Sequence, residues 1–333
     1  MAPRNLITDV AGVRVGHAQD ERLASGVTAI VFDEAAVASI DVRGGGPGTR
    51  EESVLGLANA IDRIDAIALS GGSALGLDAA GGVQAWLAEQ GRGLRVREAV
   101  IPIVPGAICF DLLNGGNKTW GRFPPYRDLG YAAAATAGTD FAIGSVGAGL
   151  GATTATFKGG LGSASALTPD GVTVAALAVV NAVGSITVGN GPWFWAAPFE
   201  VDGEYGGHGL PPAFKPDMLA ARLKGGPAAT AVENTTLVVV ATDALLTKPQ
   251  AKRLAMIAQT GMARAIYPVH APHDGDVLFA AATGEKPIDP RIGITELGMV
   301  AANVVARAIA RGVFTATALP FPGALPAWKD RFG

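Results

Sequence analysis

Cysteine is almost missing from this chain: Cys109 is the only one in 333 residues. A lone cysteine excludes an internal disulfide framework and any zinc site built on cysteines, and it fits a reducing cytoplasm, the expected location. Histidine is scarce as well, with His17, His208, His270 and His273 making up the total of four. Charged residues are 17% of the chain, the formal net charge is −3, and no basic patch stands out, so nucleic acid is not an expected partner. No apolar run reaches the roughly 18 residues that a membrane helix needs. The most apolar stretch, Val172 to Val180, is short, bounded by Gly171 and Asn181, and reads as a buried strand. The first residues, MAPRNLITDVAGVRVGH, lack the charged start, apolar centre and small-residue cleavage site of a secretory signal.

Glycine and apolar residues are abundant. Hydrophobic residues account for 49%, enough for a large core, and there are 46 glycines without a period, which argues against collagen and short repeats. Strand-like runs fall at Val27–Phe32, Ala66–Leu69, Val172–Val180, Ser185–Val188, Leu237–Thr242 and Val277–Ala282, each β-branched or continuously apolar and bounded by turn residues. Helical spacing predicts helices over Ser53–Ile64, Leu75–Glu89, Pro249–Ile266 and Thr295–Arg311, the last with Leu297, Val300, Val304 and Ala308 on one face and Gly312 placed to end it. Strands and helices that mix without strict alternation predict an α+β, αββα-layered fold. Between Phe194 and Thr230 the pattern lapses, with Gly206-Gly207, Pro211-Pro212 and Gly225-Gly226-Pro227. Apart from a short helix predicted near Asp217–Leu223, this reads as a long connection that ends just before an apolar strand.

At the end of that connection stands Glu233-Asn234-Thr235-Thr236, followed at once by Leu237-Val238-Val239-Val240. A threonine hydroxyl is a weak nucleophile until a base takes its proton. An α-amino group, with a pKa near 8, is such a base if it belongs to the same residue. Cleavage between Asn234 and Thr235 would supply it, and the same hydroxyl can first attack the Asn234 carbonyl. On local pattern alone the simpler reading is a turn entering a strand. Other motifs fail on spacing. Ser70-Gly71-Gly72-Ser73 has Leu75 where a nucleophile elbow needs glycine, and reads as a strand-to-helix turn beside the site. Gly147-Ala148-Gly149-Leu150-Gly151-Ala152 is not followed by a helix pattern that could receive a pyrophosphate. Gly115-Gly116-Asn117-Lys118-Thr119 lacks the glycine before lysine of a phosphate loop. His270 and His273 are three apart beside Asp274 and Asp276, but Pro272 lies between them and no metal is expected. Trp193 and Trp195 read as core, or as an apolar wall of a pocket.

Six blocks in order resemble the DmpA-type L-aminopeptidase/D-esterase family, which includes β-peptidyl aminopeptidases and the endo-type nylon-oligomer hydrolase. They are Ile7 to His17, Asp41 to Gly45, Leu69 to Leu77, Asn181 to Gly184, Asn234 to Thr236 and Asp274 to Phe279. The resemblance implies an N-terminal-nucleophile fold of one domain, processed into an α chain, 1–234, and a β chain, 235–333. It also implies a tetramer of αβ units that needs no cofactor. Thr235 matches the nucleophile and new N-terminus, which is serine in some members. Asn181 matches the amide that stabilises the oxyanion. Asp274 and Asp276 match the pair that orients the nucleophile, where some relatives carry Ser and Glu; taken alone, Asp-Gly-Asp reads as a solvated turn. Lys158 resembles a lysine near the nucleophile of the nylon-oligomer hydrolase, placed to steady a carboxylate or favour a neutral α-amine. Phe110 stands where several relatives have an oxyanion tyrosine. It has no donor, so Asn181 and a backbone N–H are expected to do that work. The activity implied is aminopeptidase action on short peptides, amides or esters, with endo-cleavage of 6-aminohexanoate oligomers as the alternative. Acyl transfer to an amine, as in ornithine acetyltransferase, is a third reading. A non-catalytic binding protein that keeps the fold but not the cut is the alternative of another class.

Overall fold

A computed structural model describes residues 4–225 and 234–333. Its strands are β1 (Val13–Asp20), β2 (Ser25–Val42), β3 (Thr49–Arg50), β4 (Arg63–Ser70), β5 (Leu94–Val96), β6 (Ala99–Ile101), β7 (Gly106–Ile108), β8 (Gly160–Leu167), β9 (Thr173–Asn181), β10 (Thr235–Ala244) and β11 (Val277–Lys286). The helices are α1 (Ala79–Glu89), α2 (Tyr126–Ala135), α3 (Lys248–Ala258), α4 (Thr260–Ala263), α5 (Gly293–Phe314) and α6 (Lys329–Phe332). Eight strands follow the order β3-β7-β4-β2-β11-β10-β9-β8, with β1 also on β2, and β5 and β6 form a separate hairpin.

Strand β2 decides the architecture. Its first half pairs with β1 and β4, its second half pairs with β11, and the β2–β4 register breaks between Val31 and Ala36. The sheet therefore folds back on itself. Ile30, Phe32, Ile67 and Leu69 from one half meet Leu177, Val179, Val239 and Phe279 from the other in one buried cluster. The alternate residues point outward, as strand periodicity requires. Ala29, Val31, Ala66 and Ala68 pack on α1 and α2. Val238, Val240, Leu278 and Ala280 pack with Leu254 of α3 and Leu297 and Val304 of α5. These are the four layers, helix-sheet-sheet-helix, expected from the sequence.

Several predicted elements differ in detail. Residues 53–64 are not a helix. One 3₁₀ turn covers Glu52–Leu55, Gly56 is extended, and β4 begins at Arg63. Further along β4, Ile67 and Leu69 face one core and Ala66 and Ala68 the other, so the period there is two. Helix α1 starts at Ala79, after a 3₁₀ segment Ser73–Asp78. Ser185–Val188 is no strand: Ser185 and Thr187 make only isolated bridges, to Tyr267 and Phe194. The helix predicted over 249–266 is divided into α3 and α4; Thr247 caps α3 in a capping box with Gln250. The short helix predicted near Asp217–Leu223 is a 3₁₀ turn at Pro216–Leu219. Gly312 does not end α5, which runs to Phe314. Gly162 and Gly312 let α5 lie directly on β8, because a Cβ on Gly162 would come 2.0 Å from the Ala308 carbonyl oxygen. Among the described helices α5 is the one to weigh against a membrane span. It has the length and hydropathy to cross one, but 78% of that window is buried inside the protein, which makes it a core helix.

Among the ties that hold the long connection are one to α5 and one to the turn after β9. Arg307 and Arg311 of α5 hold the Glu204 carboxylate, and the Lys224 N–H donates to the Val183 carbonyl at 2.9 Å.

Candidate active site

Thr235 opens β10 and Asn181 closes β9, and the two are direct partners in the antiparallel register. Their side chains therefore share a face, with Cβ atoms about 5 Å apart. On the other side β10 runs parallel to β11, Leu237 beside Val277, and the pairing extends to an isolated bridge between Asn234 and Asp274. Strand pairing thus brings together residues that are far apart in sequence. Glu233, the first residue of the junction motif, lies outside the described residues.

At the Asn234–Thr235 bond, the Asn234 carbonyl oxygen accepts the Gly275 N–H at 3.2 Å. The Thr235 hydroxyl lies against the same oxygen. Gly275 leaves room for this: a Cβ there would be 2.3 Å from Thr235 Oγ1. A backbone donor on the carbonyl oxygen and a hydroxyl beside it are two of the parts that acyl transfer uses.

The two aspartates are buried, each 1% exposed, so the sequence's turn reading is not a solvated one. Asp276 accepts the Thr236 N–H at 2.7 Å through Oδ1. Its Oδ2 accepts the His270 N–H at 3.2 Å and meets His270 Nδ1 at 2.8 Å. Asp274 accepts the Gly275 N–H at 2.9 Å. Burial, and after it the neighbouring Asp276 charge, pushes the Asp274 carboxyl well above the ordinary carboxylate range. Residues 43–46 brace the pair from behind. Arg43 and Gly44 donate N–H groups to the Asp276 carbonyl, and Gly46 donates to that of Asp274. Gly44 is required for that approach, since its Cβ would meet the Asp274 oxygen at 2.2 Å.

Asn181 is wholly buried. Its Oδ1 accepts the Thr153 N–H at 3.0 Å and Lys224 Nζ at 2.8 Å. Its Nδ2 donates to the Phe110 carbonyl at 3.0 Å. Phe110 thus meets Asn181 through its backbone. Lys158 is 1% exposed and donates to the carbonyls of Gly149, Ala152 and Gly159 at 2.8–3.0 Å. Burial lowers its pKa to about 7. Its ammonium group touches no carboxylate in these bonds and is held by backbone carbonyls around the loop that carries Thr153. Phe110, Thr153, Lys158 and Lys224 all line one cavity of about 270 Å³, closed by Leu319 and Leu325 of the C-terminal segment. Lys158 also donates its N–H to Pro326 of that segment at 2.8 Å. Thr235 is 3% exposed and is covered in the continuous chain.

Three participants were missed by the sequence reading. His270 was weighed only as a metal ligand, and Gly275 only as part of a turn. Lys224 carries no local signal at all, lying 43 residues from Asn181. Asp111, beside Phe110, is buried among Ser25 Oγ at 2.6 Å and the Gly72 N–H at 2.8 Å. The Ser70–Ser73 turn therefore follows a strand, as expected, and holds this carboxylate. Among the described residues no group of three or more His, Cys, Asp or Glu is arranged to hold a metal.

The profile of peptidase family S58 matches residues 5–324. The chain belongs to peptidase family S58. This S58 peptidase is 43% identical over 347 residues to a protein of Mycobacterium tuberculosis (strain ATCC 25618 / H37Rv) named as an uncharacterized aminopeptidase, covering 98% of each chain. It is 30% identical over 316 residues to the 6-aminohexanoate-oligomer endohydrolase of an Agromyces species (strain KY5R), covering 89% of this chain and 82% of that one. Among solved structures it is similar to a Burkholderia β-aminopeptidase, with a TM-score of 0.71 and 25% identity over 98% of this chain and 90% of the other. The L-aminopeptidase D-Ala-esterase/amidase of Ochrobactrum anthropi, described as a variant of the N-terminal-nucleophile hydrolase fold, aligns with a TM-score of 0.70 at 20% identity over 98% and 91% of the two chains. The S58 peptidase shares that fold.

Proposed function

We propose that this S58 peptidase cleaves itself between Asn234 and Thr235 and then acts as an aminopeptidase with Thr235 as nucleophile. The observation that carries the reading is the convergence of Thr235 Oγ1 and the Gly275 N–H on the Asn234 carbonyl. Attack by Oγ1 on that carbonyl carbon breaks the Asn234–Thr235 C–N bond. It leaves Asn234 as an ester on Oγ1 and frees the Thr235 nitrogen, which takes up the hydroxyl proton. Water then hydrolyses the ester. The α chain ends in the Asn234 carboxylate, and Thr235 is left with a free amine and a free hydroxyl.

In turnover the amine takes the Oγ1 proton as Oγ1 attacks a substrate amide. Asn181, on the same face and anchored through both ends of its amide, stabilises the oxyanion. Asp276 fixes the start of β10 through the Thr236 N–H. Asp274, its carboxyl raised to about 9 by burial and then by the Asp276 charge, is held in its protonated form at neutral pH. The leaving amine departs, and water releases the acyl group from Oγ1. The chains 1–234 and 235–333 stay together as one domain, because β10 lies inside the sheet between β9 and β11. A tetramer of αβ units in the cytoplasm, acting on short peptides or amides, is the assembly, location and partner class we infer from the family resemblance.

Intact mass spectrometry of wild type beside Thr235→Ala tests the cut. Two fragments from wild type, the smaller starting at Thr235, with an intact mutant, are expected. A wild type that stays whole after long incubation overturns the reading and favours a binding protein. Hydrolysis of L-alanyl, D-alanyl and β-alanyl p-nitroanilides against 6-aminohexanoate trimer then separates aminopeptidase action from endo-cleavage, the activity named for relatives near 30% identity.

A further inference from the structure

Lys224 belongs to the connection that precedes the cut, yet its ammonium group reaches back to the amide assigned to the oxyanion. Nζ lies 2.8 Å from Asn181 Oδ1 and 3.5 Å from the Thr153 carbonyl. Its backbone N–H is held by Val183, two residues after Asn181, so the lysine is anchored at both ends of its own structure. Asn181 Oδ1 receives this cation and the Thr153 N–H together. Two donors on Oδ1 decide which way the amide faces, because an amide turned the other way would set its NH₂ against two donors. The same charge reaches the rest of the site, where it offsets a small part of the rise that burial gives the Asp274 and Asp111 carboxyls.

We propose that Lys224 is a positioning residue for turnover: it locks the Asn181 amide with Nδ2 as the donor toward the reacting carbonyl, and it remains on the α chain to do so after the cut. This rests on the reading of Asn181 and Thr235 given above. It also separates the two reactions of the site. In self-cleavage the carbonyl is that of Asn234, which takes its donor from Gly275 rather than Asn181. Lys224 therefore matters for turnover and not for the cut.

The test uses the full chain with Lys224→Met, Lys224→Arg, Asn181→Ala and the Lys224→Met/Asn181→Ala double variant. Each is assayed for processing by intact mass and for hydrolysis of the p-nitroanilide that wild type cleaves fastest. Removing one oxyanion donor costs about 100-fold in kcat, so Asn181→Ala is expected to fall by about that much. Lys224→Met should mature at the wild-type rate and lose roughly 10-fold or more in kcat, with KM changed by less than about 3-fold. Lys224→Arg, which keeps a donor, should recover part of the loss. In the Asn181→Ala background Lys224→Met should have almost no further effect, since coupled residues are not additive. Full multiplication of the two losses, a Lys224→Met kcat within about 2-fold of wild type, or failure of Lys224→Met to mature would each overturn the proposal. If Asn181→Ala itself keeps wild-type kcat, the oxyanion assignment is what fails.

Discussion

Gly275→Ala isolates the geometry of self-cleavage from the stability of the fold. Gly275 does not have a positive φ, so alanine brings no backbone strain. Its N–H still points at the Asn234 carbonyl. What changes is one methyl group, which would sit 2.3 Å from Thr235 Oγ1, 3.2 Å from Thr235 Cγ2 and 3.2 Å from the Gly46 oxygen. An ordinary contact needs more than an ångström beyond the first of these distances. The neighbouring backbone is fixed by the bond from the Gly46 N–H to Asp274, so the hydroxyl must be the group that moves. A displacement of about 1 Å at a reacting atom costs on the order of 100-fold in rate. The assay follows the appearance of the fragment starting at Thr235 by intact mass, from the moment the purified precursor is brought to neutral pH. Processing slowed by about 100-fold, with a melting temperature within a few degrees of wild type, is the expected result. Processing within about 3-fold of wild type would refute the idea that Oγ1 attacks from where it stands against Gly275.

Lys158→Met, compared with wild type in an uncleaved Thr235→Ala background, should reveal the buried lysine through pH. The folded-state pKa is lowered from 10.5 to about 7. Both states are charged below that value, while only the unfolded chain holds the proton between about 7 and 10.5. The lysine's burial cost is therefore full at pH 6 and relieved as pH rises. Urea unfolding should show the Lys158 protein gaining about 1.4 kcal/mol per pH unit on the methionine variant above pH 7; parallel curves would refute it. Asp111→Ala leaves the Gly72 N–H without its acceptor and should cost about 1–3 kcal/mol in chemical denaturation, and an unchanged midpoint would count against a structural role. Gly162→Ala drives a Cβ to 2.0 Å from the Ala308 carbonyl, a backbone atom that cannot rotate aside. A loss of about 2 kcal/mol or more is expected, read as a lower melting temperature, and a stability equal to wild type would show that α5 can lift off β8.

Much of the site was readable as blocks of residues. Thr235 at the start of an apolar strand, Asn181 at the end of another, and Asp274-Gly275-Asp276 at the entrance to a third all lie at strand ends, as β10, β9 and β11 place them. Those strands were legible because their apolar runs are short and bounded by turn residues. Residues 53–64 were misread because their apolar spacing resembles a helix, whereas only Leu55 and Ile64 of the stretch are buried and the chain between them packs no continuous helical face. Gly312 looked like a helix stop because glycine has two uses, and α5 needs it for close approach to β8.

Sequence by itself therefore determined the residue types of the candidate site, the strand ends that carry them, and the family to which the chain belongs. Tertiary structure decided who meets whom. The fold of the sheet at β2 sets two cores apart, and the β9-β10-β11 pairing sets Asn181 and Gly275 on either side of the Asn234–Thr235 junction. The packing of the long connection delivers Lys224 to an amide 43 residues away. None of these contacts has a local signature, because hydrogen bonds between distant segments depend on register and layer packing, which no short window of sequence contains.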